Sequence, residues 1–536
     1  MIMPEPSVTT ATESLRRILS ECRGILAKGS ETHLASITMA VEAMDPLLVF
    51  RQARDQQRVF WERAMEKFAL VAIGAAAELT GDGTTRCAQL AQAWRRLGKR
   101  AVVETADEYP LTAPVCLGGL AFDAGRRRDP DWADYPDALL LLPRLLFTWS
   151  HGSCWLTINA VTAPASGTDA LVDETAAMLS TVLARDDIAV TNYIREDSGG
   201  PGAARHYETV STMTGGTALS GLESAAEDAG AARLWKEAVS AIVGDIRRGT
   251  VQKQVLARRV RLDFTEPTDP VSLLQRLRAG YGTSCTVFAM TRGDTCFLGA
   301  SPERLVRVDG RVVRADGLAG SAARGSTAEE DRSMGLALLA SSKERHEHAL
   351  VVHALRDALE PVCANLTIPG QPILLRMPNV QHLHTPVKGV LRSGNNILDL
   401  LERLHPTPTV GGVPRGAVLS RIRRYEPFDR GWYAGPVGWI DANDGGEFAV
   451  GIRSALVKGI GTTDATAMRA GGNSESDYKS EVLLYAGCGI VAGSDPEAEH
   501  RESCLKLRPL LWAMEGPLCS SERSGPSIEQ LACSET

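Results

Sequence analysis

Asp309-Gly310 is the strongest constraint on how this chain folds. Arg304–Val308 and Arg311–Ala315 alternate apolar and polar residues on either side of it, and Asp-Gly is the chemistry of a two-residue hairpin loop. Antiparallel sheet is therefore dictated here, and a purely parallel α/β architecture is excluded. A second hairpin is expected where Trp432–Ile440 and Glu447–Leu456 flank residues 441–446. Val251–Arg259 also alternates, with Val251, Lys253, Val255 and Ala257 on one face. Lys253 thus points the same way as apolar neighbours. It is either snorkelling at a sheet edge or partly desolvated for use as a base.

Helical periodicity marks two further elements. Ser342–His348 opens a helix on which Glu344, Glu347, His348 and Val351 share one face. Leu350, Val352, Ala354, Leu355 and Leu359 are expected as its apolar stripe. Ser494-Asp495-Pro496-Glu497 carries the start signals of a second helix, on which Glu499, Glu502 and Lys506 share a face. Two helices each presenting carboxylates can clamp a hard, oxygen-seeking cation such as Mg²⁺, although either one alone is more simply a solvated charged face. Gly317–Ser321 reads as a tight turn whose glycines can also bring backbone N–H groups to a carboxylate.

Elsewhere the sequence is plainer. Helices are expected over residues 10–27, 162–182 and 234–248, and strands over Leu34–Thr38, Phe68–Ile73, Gly118–Asp123 and Leu139–Leu142. His33 and His151 stand alone and read as structural or surface residues. Residues 197–204 and 212–221 read as a flexible junction, 457–478 as a surface insertion, and 515–536 as a disordered tail. A net charge of −7 over 536 residues argues against a nucleic-acid or membrane-surface partner. Eleven scattered cysteines without a CxxC pair, and no secretory or membrane-spanning stretch, place the chain in the cytoplasm.

The motifs then fall into one series. It runs through Lys253–Arg258, Phe297–Leu305, Leu318–Ser321, Lys343–His348, Gln381–Leu383, Leu404–Gly412 and Asp429–Tyr433. It ends with Gly451–Ser454, Tyr485–Val491, Glu502 and Lys506. In this order they resemble the chorismate-utilising enzymes, a family that includes isochorismate, salicylate, anthranilate and aminodeoxychorismate synthases. The resemblance covers residues 234–513, the catalytic domain. Residues 1–233 resemble more loosely the N-terminal part of longer members and would complete the same body, leaving 514–536 as the tail. The fold implied is α+β, two antiparallel sheets packed face to face, with helices outside.

What the resemblance implies for chemistry is specific. The substrate is chorismate, a dianion, and the cofactor is Mg²⁺. Lys253 matches the base that activates water and Glu303 the acid that protonates the leaving hydroxyl, so Lys253 must be neutral and Glu303 protonated when they act. Glu347 and Glu502 match direct metal ligands, with Glu344 and Glu499 acting through water. Arg453, Lys506 and Gly487 match the anchor of the enolpyruvyl carboxylate. Gly320 and Ser321 line the ring-carboxylate side, with His382 and Tyr433 nearby. Lysine at 253 and alanine at 319 oppose the branches that add ammonia or use a covalent lysine. Thr409 departs from the alanine usual in isochorismate synthases and matches salicylate synthases, whose pyruvate elimination its hydroxyl could assist. Isochorismate synthase is the first expectation and a bifunctional salicylate synthase the second, as a monomer or weak homodimer.

Overall fold

The structure is a computed structural model. It describes residues 33–99, 101–126, 128–162, 168–183, 229–376, 380–460 and 480–514, with six positions between 13 and 20. Most of the helix expected over 10–27, the junction at 197–221, most of the insertion at 457–478 and the tail at 515–536 lie outside the described residues.

The first hairpin forms, one residue out of the expected turn. Arg304–Asp309 pairs with Val312–Ala323, Asp309 opposite Val312, so the loop is Gly310-Arg311. Gly310 takes φ 59° at the first loop position, where only glycine does so without strain. The second strand also runs further than expected. Gly317–Ser321 is part of it, held to Val380–Leu391, and a bulge falls between Ala319 and Ser321. The expected turn is thus a strand, because eleven of the twelve residues of Val312–Ala323 find ladder partners on Val380–Leu391, on both sides of the bulge.

In the second hairpin, Pro436–Asp441 pairs with Gly446–Val450, and Ser454–Lys458 is a separate strand. Gly451–Arg453 interrupts the run expected to be continuous. Arg453 sits at φ 52°, a left-handed conformation no strand accommodates.

The described strands join one hydrogen-bonded network in which a single pairing, His33–Val41 with Ala101–Glu104, is parallel. The long strand Ala138–Ser150 is its fork. One arm passes through Phe68–Gly81, Arg58–Arg63, Thr286–Arg292, Thr295–Ser301, Ser454–Lys458 and Ser480–Ile490 to Lys253–Phe264. The other passes through Val115–Leu120, Pro436–Asp441 and Gly446–Val450 to the first hairpin. Strands from before residue 163 therefore sit inside the same network as the later ones.

Trp61, Phe288 and Phe297 of the first arm share a core with Val306, Val437 and Phe448 of the second. Val71, Leu298 and Leu484, on the opposite face of the first arm, pack with Leu274 and Leu507 of helices Pro270–Tyr281 and Pro496–Met514. Each fully buried side chain of this size contributes roughly 1.5–3 kcal/mol. No described helix is long and apolar enough to cross a membrane.

The acid-bearing helix is Ser342–Leu359, capped by the Ser341 hydroxyl. Its buried stripe is His348, Val351, Leu355 and Leu359, in direct continuation of Glu344 and Glu347. Leu350, Val352 and Ala354, expected in that stripe, are only half-buried. The 3.6-residue period puts them to one side of the line that faces the sheet.

Candidate active site

Lys253 begins its strand between Gly412–Val413 on one side and Ser480–Ile490 on the other. Its side chain is 2% exposed, and Nζ donates to Oε1 of Glu347 at 2.6 Å. Of the two open readings, burial is correct and snorkelling is not. Gly489 makes the room: a Cβ there would lie 2.7 Å from the lysine Cε and 3.7 Å from Glu347 Oε1.

Glu303 occupies the break between Thr295–Ser301 and Arg304–Asp309. Its carbonyl accepts from Val450 N–H, and its carboxyl Oε1 accepts from the Thr409 hydroxyl at 2.7 Å. Desolvation pushes this carboxyl up to about 7, against the Thr409 hydrogen bond and then the Lys253 charge, which pull it down. Asp316 adds to the rise and Lys506 opposes it. Near neutral pH the group is thus divided between acid and carboxylate.

The bulge at Gly320 shapes the opposite wall. Gly320 has φ 79°, and a Cβ would press on Glu344 and Leu383 at 3.2 Å. The bulge aims Ser321 so that its N–H reaches Glu344 Oε2 at 3.3 Å and its hydroxyl meets His382 Nδ1 at 2.7 Å. His382 is held down to about 4, first by burial and then by the charges of Arg453 and Lys506, so it is neutral at pH 7. Tyr433 stacks on Tyr485 at 4.9 Å, and its hydroxyl faces Gly487.

Cations gather on one side of this group. Lys506 donates to the Gly487 carbonyl at 2.9 Å and pairs with Glu502 at 2.6 Å. The Arg453 carbonyl accepts from Ala300 N–H, while its guanidinium makes no hydrogen bond or ion pair with another described residue. Its pKa is lowered by burial, which marks a cation that an incoming anion would stabilise.

Carboxylates gather at the other. Donor atoms of Cys488, Glu499 and Glu502 lie within 4.8 Å of one another, and Glu499 is raised by burial with a contribution from Glu502. Glu344 and Glu347 stand outside that group, engaged by Ser321 and Lys253. Strand Ser480–Ile490 ties the two sides together, with Gly489 against Glu347 and Cys488 against Glu499. Oxygen donors of excess negative charge on two helices flanking one strand end fit a hard divalent cation.

Three features escaped the sequence reading. The Glu426–Arg430 pair is fully buried. Glu426 accepts the Ala257 N–H at 2.8 Å, while Arg430 donates to the carbonyls of Val410 at 2.8 Å and Val255 at 3.3 Å. It thereby fastens the Lys253 strand to the Thr409 loop. His384 pairs with Asp316 at 2.8 Å behind Glu303. Thr409, expected to face substrate, gives its proton to Glu303. The i,i+4 spacing of Glu426 and Arg430 was the one signal available.

A family model described as chorismate binding enzyme matches residues 17–515. The salicylate biosynthesis isochorismate synthase of Pseudomonas aeruginosa is 38% identical, over 90% of this chain and 90% of that protein. Isochorismate synthase MenF of Bacillus subtilis is 32% identical, over 95% and 99%. The solved structure of MenF, the menaquinone-specific isochorismate synthase from Escherichia coli, matches with a TM-score of 0.67. It is 25% identical and covers 93% of this chain and 100% of that one. On sequence and fold alike, the chain belongs to the chorismate-binding enzymes.

Proposed function

We propose that the protein is an isochorismate synthase: it adds water at one ring carbon of chorismate and expels hydroxyl from another. The observation that carries this reading is a buried lysine and a carboxyl poised at about 7 in one cleft, Lys253 within electrostatic reach of Glu303. Lys253, as the neutral amine, takes a proton from water as its oxygen bonds to the ring. Glu303 gives its proton to the departing hydroxyl, which leaves as water, so the net change is isomerisation. Arg453, Lys506 and the Gly487 backbone receive the enolpyruvyl carboxylate, whose charge suits a buried guanidinium that burial outweighs its neighbours in destabilising. Ser321, beside Gly320, and neutral His382 line the ring-carboxylate side, and Tyr433 closes the floor.

Glu347 and Glu502, with Glu344 and Glu499 behind them, are the residues that would hold Mg²⁺, which when bound draws electron density from the ring carboxylate. The two arms of the network read as two sheets packed face to face, a reading supported by their common core.

A salicylate synthase would need Thr409 to act on the enolpyruvyl group. The hydroxyl has one proton, and Glu303 accepts it. That favours release of isochorismate. Chromatography of a chorismate and Mg²⁺ incubation is expected to show isochorismate as the main product, abolished in Lys253→Ala and Glu303→Gln with the fold intact. Rapid, stoichiometric salicylate and pyruvate from the wild type would overturn the reading.

A further inference from the structure

Two hydroxyls stand in line behind the carboxyl of Glu303. Thr409 Oγ1 donates to Oε1, and Thr407 Oγ1 is hydrogen-bonded to Thr409 Oγ1 in turn. A threonine hydroxyl has one proton and two lone pairs. With the Thr409 proton committed to Glu303, the proton shared between the threonines is that of Thr407. While Glu303 is ionised, the line therefore has one direction, Thr407 to Thr409 to Oε1. The loop the two threonines share is pinned. Val410 and Gly411 donate their N–H groups to the Thr407 carbonyl, and Arg430 holds the Val410 carbonyl from within the core.

A carboxylic acid has two oxygens and one proton. An oxygen that goes on accepting a hydroxyl donor as the carboxyl takes up its proton is the carbonyl oxygen of the acid. Oε2 makes no hydrogen bond with a described residue. We propose that Thr409, backed by Thr407, is a positioning residue for the acid step, which confines the acidic proton of Glu303 to Oε2 and aims it at the leaving hydroxyl. This rests on the reading of Glu303 as the acid and deepens it.

The line also sets when the acid is loaded. A donor to a carboxyl stabilises its ionised form, so Thr409 holds Glu303 below where burial alone would leave it. The other charges facing Glu303 are Lys253 from its strand, Lys506 from the last helix, and Asp316 from the hairpin, itself paired with His384. All remain when Thr409 is changed. The sign follows directly: loss of the hydroxyl raises the Glu303 midpoint, and the alkaline fall in kcat, where the acid loses its proton, moves to higher pH.

The test is a titration of the Glu303 carboxyl by ¹³C NMR in the resting enzyme, with the resonance assigned through Glu303→Gln, alongside kcat against pH with chorismate. Thr409→Val keeps the volume and removes the donor. It is expected to raise the midpoint by about one unit, the size of one hydrogen bond to a charged group. The alkaline limb of kcat should follow by the same amount, with a plateau lowered by roughly tenfold as aim is lost. Thr409→Ser restores both. Thr407→Val, one step removed, shifts the midpoint the same way by less, and serves if Thr409→Val fails to fold. A midpoint unmoved in the valine variants, or a serine variant that behaves like valine, overturns the proposal. The NMR titration needs no turnover, so wild type that forms no isochorismate would sink the functional reading separately.

Discussion

Adding one methyl group at Gly489 should disable the enzyme without unfolding it. The residue lies on strand Ser480–Ile490 opposite Val255, and its φ is one that any L-residue adopts. The backbone therefore tolerates alanine, and the conflict falls on Lys253 alone. The new Cβ would stand 2.7 Å from Cε and 3.2 Å from Nζ, whereas carbon–carbon contacts settle near 3.5–4.0 Å. The lysine tip must retreat by about 1 Å, and its 2.6 Å bond to Glu347 is stretched or lost. A displacement of that size at a reacting group costs on the order of 10²-fold in rate, or about 2.7 kcal/mol in the barrier. The Gly489→Ala protein is expected to show kcat for isochorismate formation reduced by that factor. KM for chorismate should change little, since Arg453 and Lys506 are untouched, and so should the melting temperature. Wild-type kcat in a folded Gly489→Ala protein would refute the placement of Lys253 as the base.

Metal removal is the next test. Excess chelator, or either Glu347→Gln or Glu502→Gln, is expected to lower turnover by about 10²-fold or more, given the polarisation a bound cation supplies. Undiminished turnover in chelator would remove the metal from the scheme. The Glu426–Arg430 pair gives a stability prediction. Arg430→Met strands a buried carboxylate that still accepts the Ala257 N–H, at a cost of roughly 3–5 kcal/mol, measured by urea denaturation. A loss under about 1 kcal/mol would mean that the pair is not the fastening it is taken for.

Local signals in the sequence carried far, and their limit is physical. The hairpin at Gly310 and the acid face of Ser342–Leu359 are both set by residues a few positions apart, where spacing translates directly into geometry. Gly317–Ser321 looked like a turn because glycine weakens a strand locally, yet Val380–Leu391 supplies the ladder from a distant part of the chain. Lys253 and Glu303 were recognisable as chemistry, but not their partners. Whether Lys253 snorkels or is buried depends on Glu347 and Gly489, and the acidity of Glu303 on Thr409 and Asp316. Such pairings across the fold leave no periodicity to read. Cys488 beside Glu499 and Glu502 is a further case, since a lone cysteine between two glycines gives no hint of neighbouring carboxylates.

The interleaving of early and late strands carries a consequence for how the molecule comes into being. Arg58–Arg63 waits for Thr286–Arg292, Val115–Leu120 for Pro436–Asp441, and the Lys253 strand for Ser480–Ile490. Contacts so far apart along the chain can be made only after long loops have closed, which makes for slow folding. On the ribosome, the first third of the polypeptide would emerge with open strand edges and nothing to cover them. Chain synthesis must almost finish before Lys253 acquires both its neighbours, so a nascent chain stalled before residue 480 holds Lys253 but not the strand that shapes its surroundings.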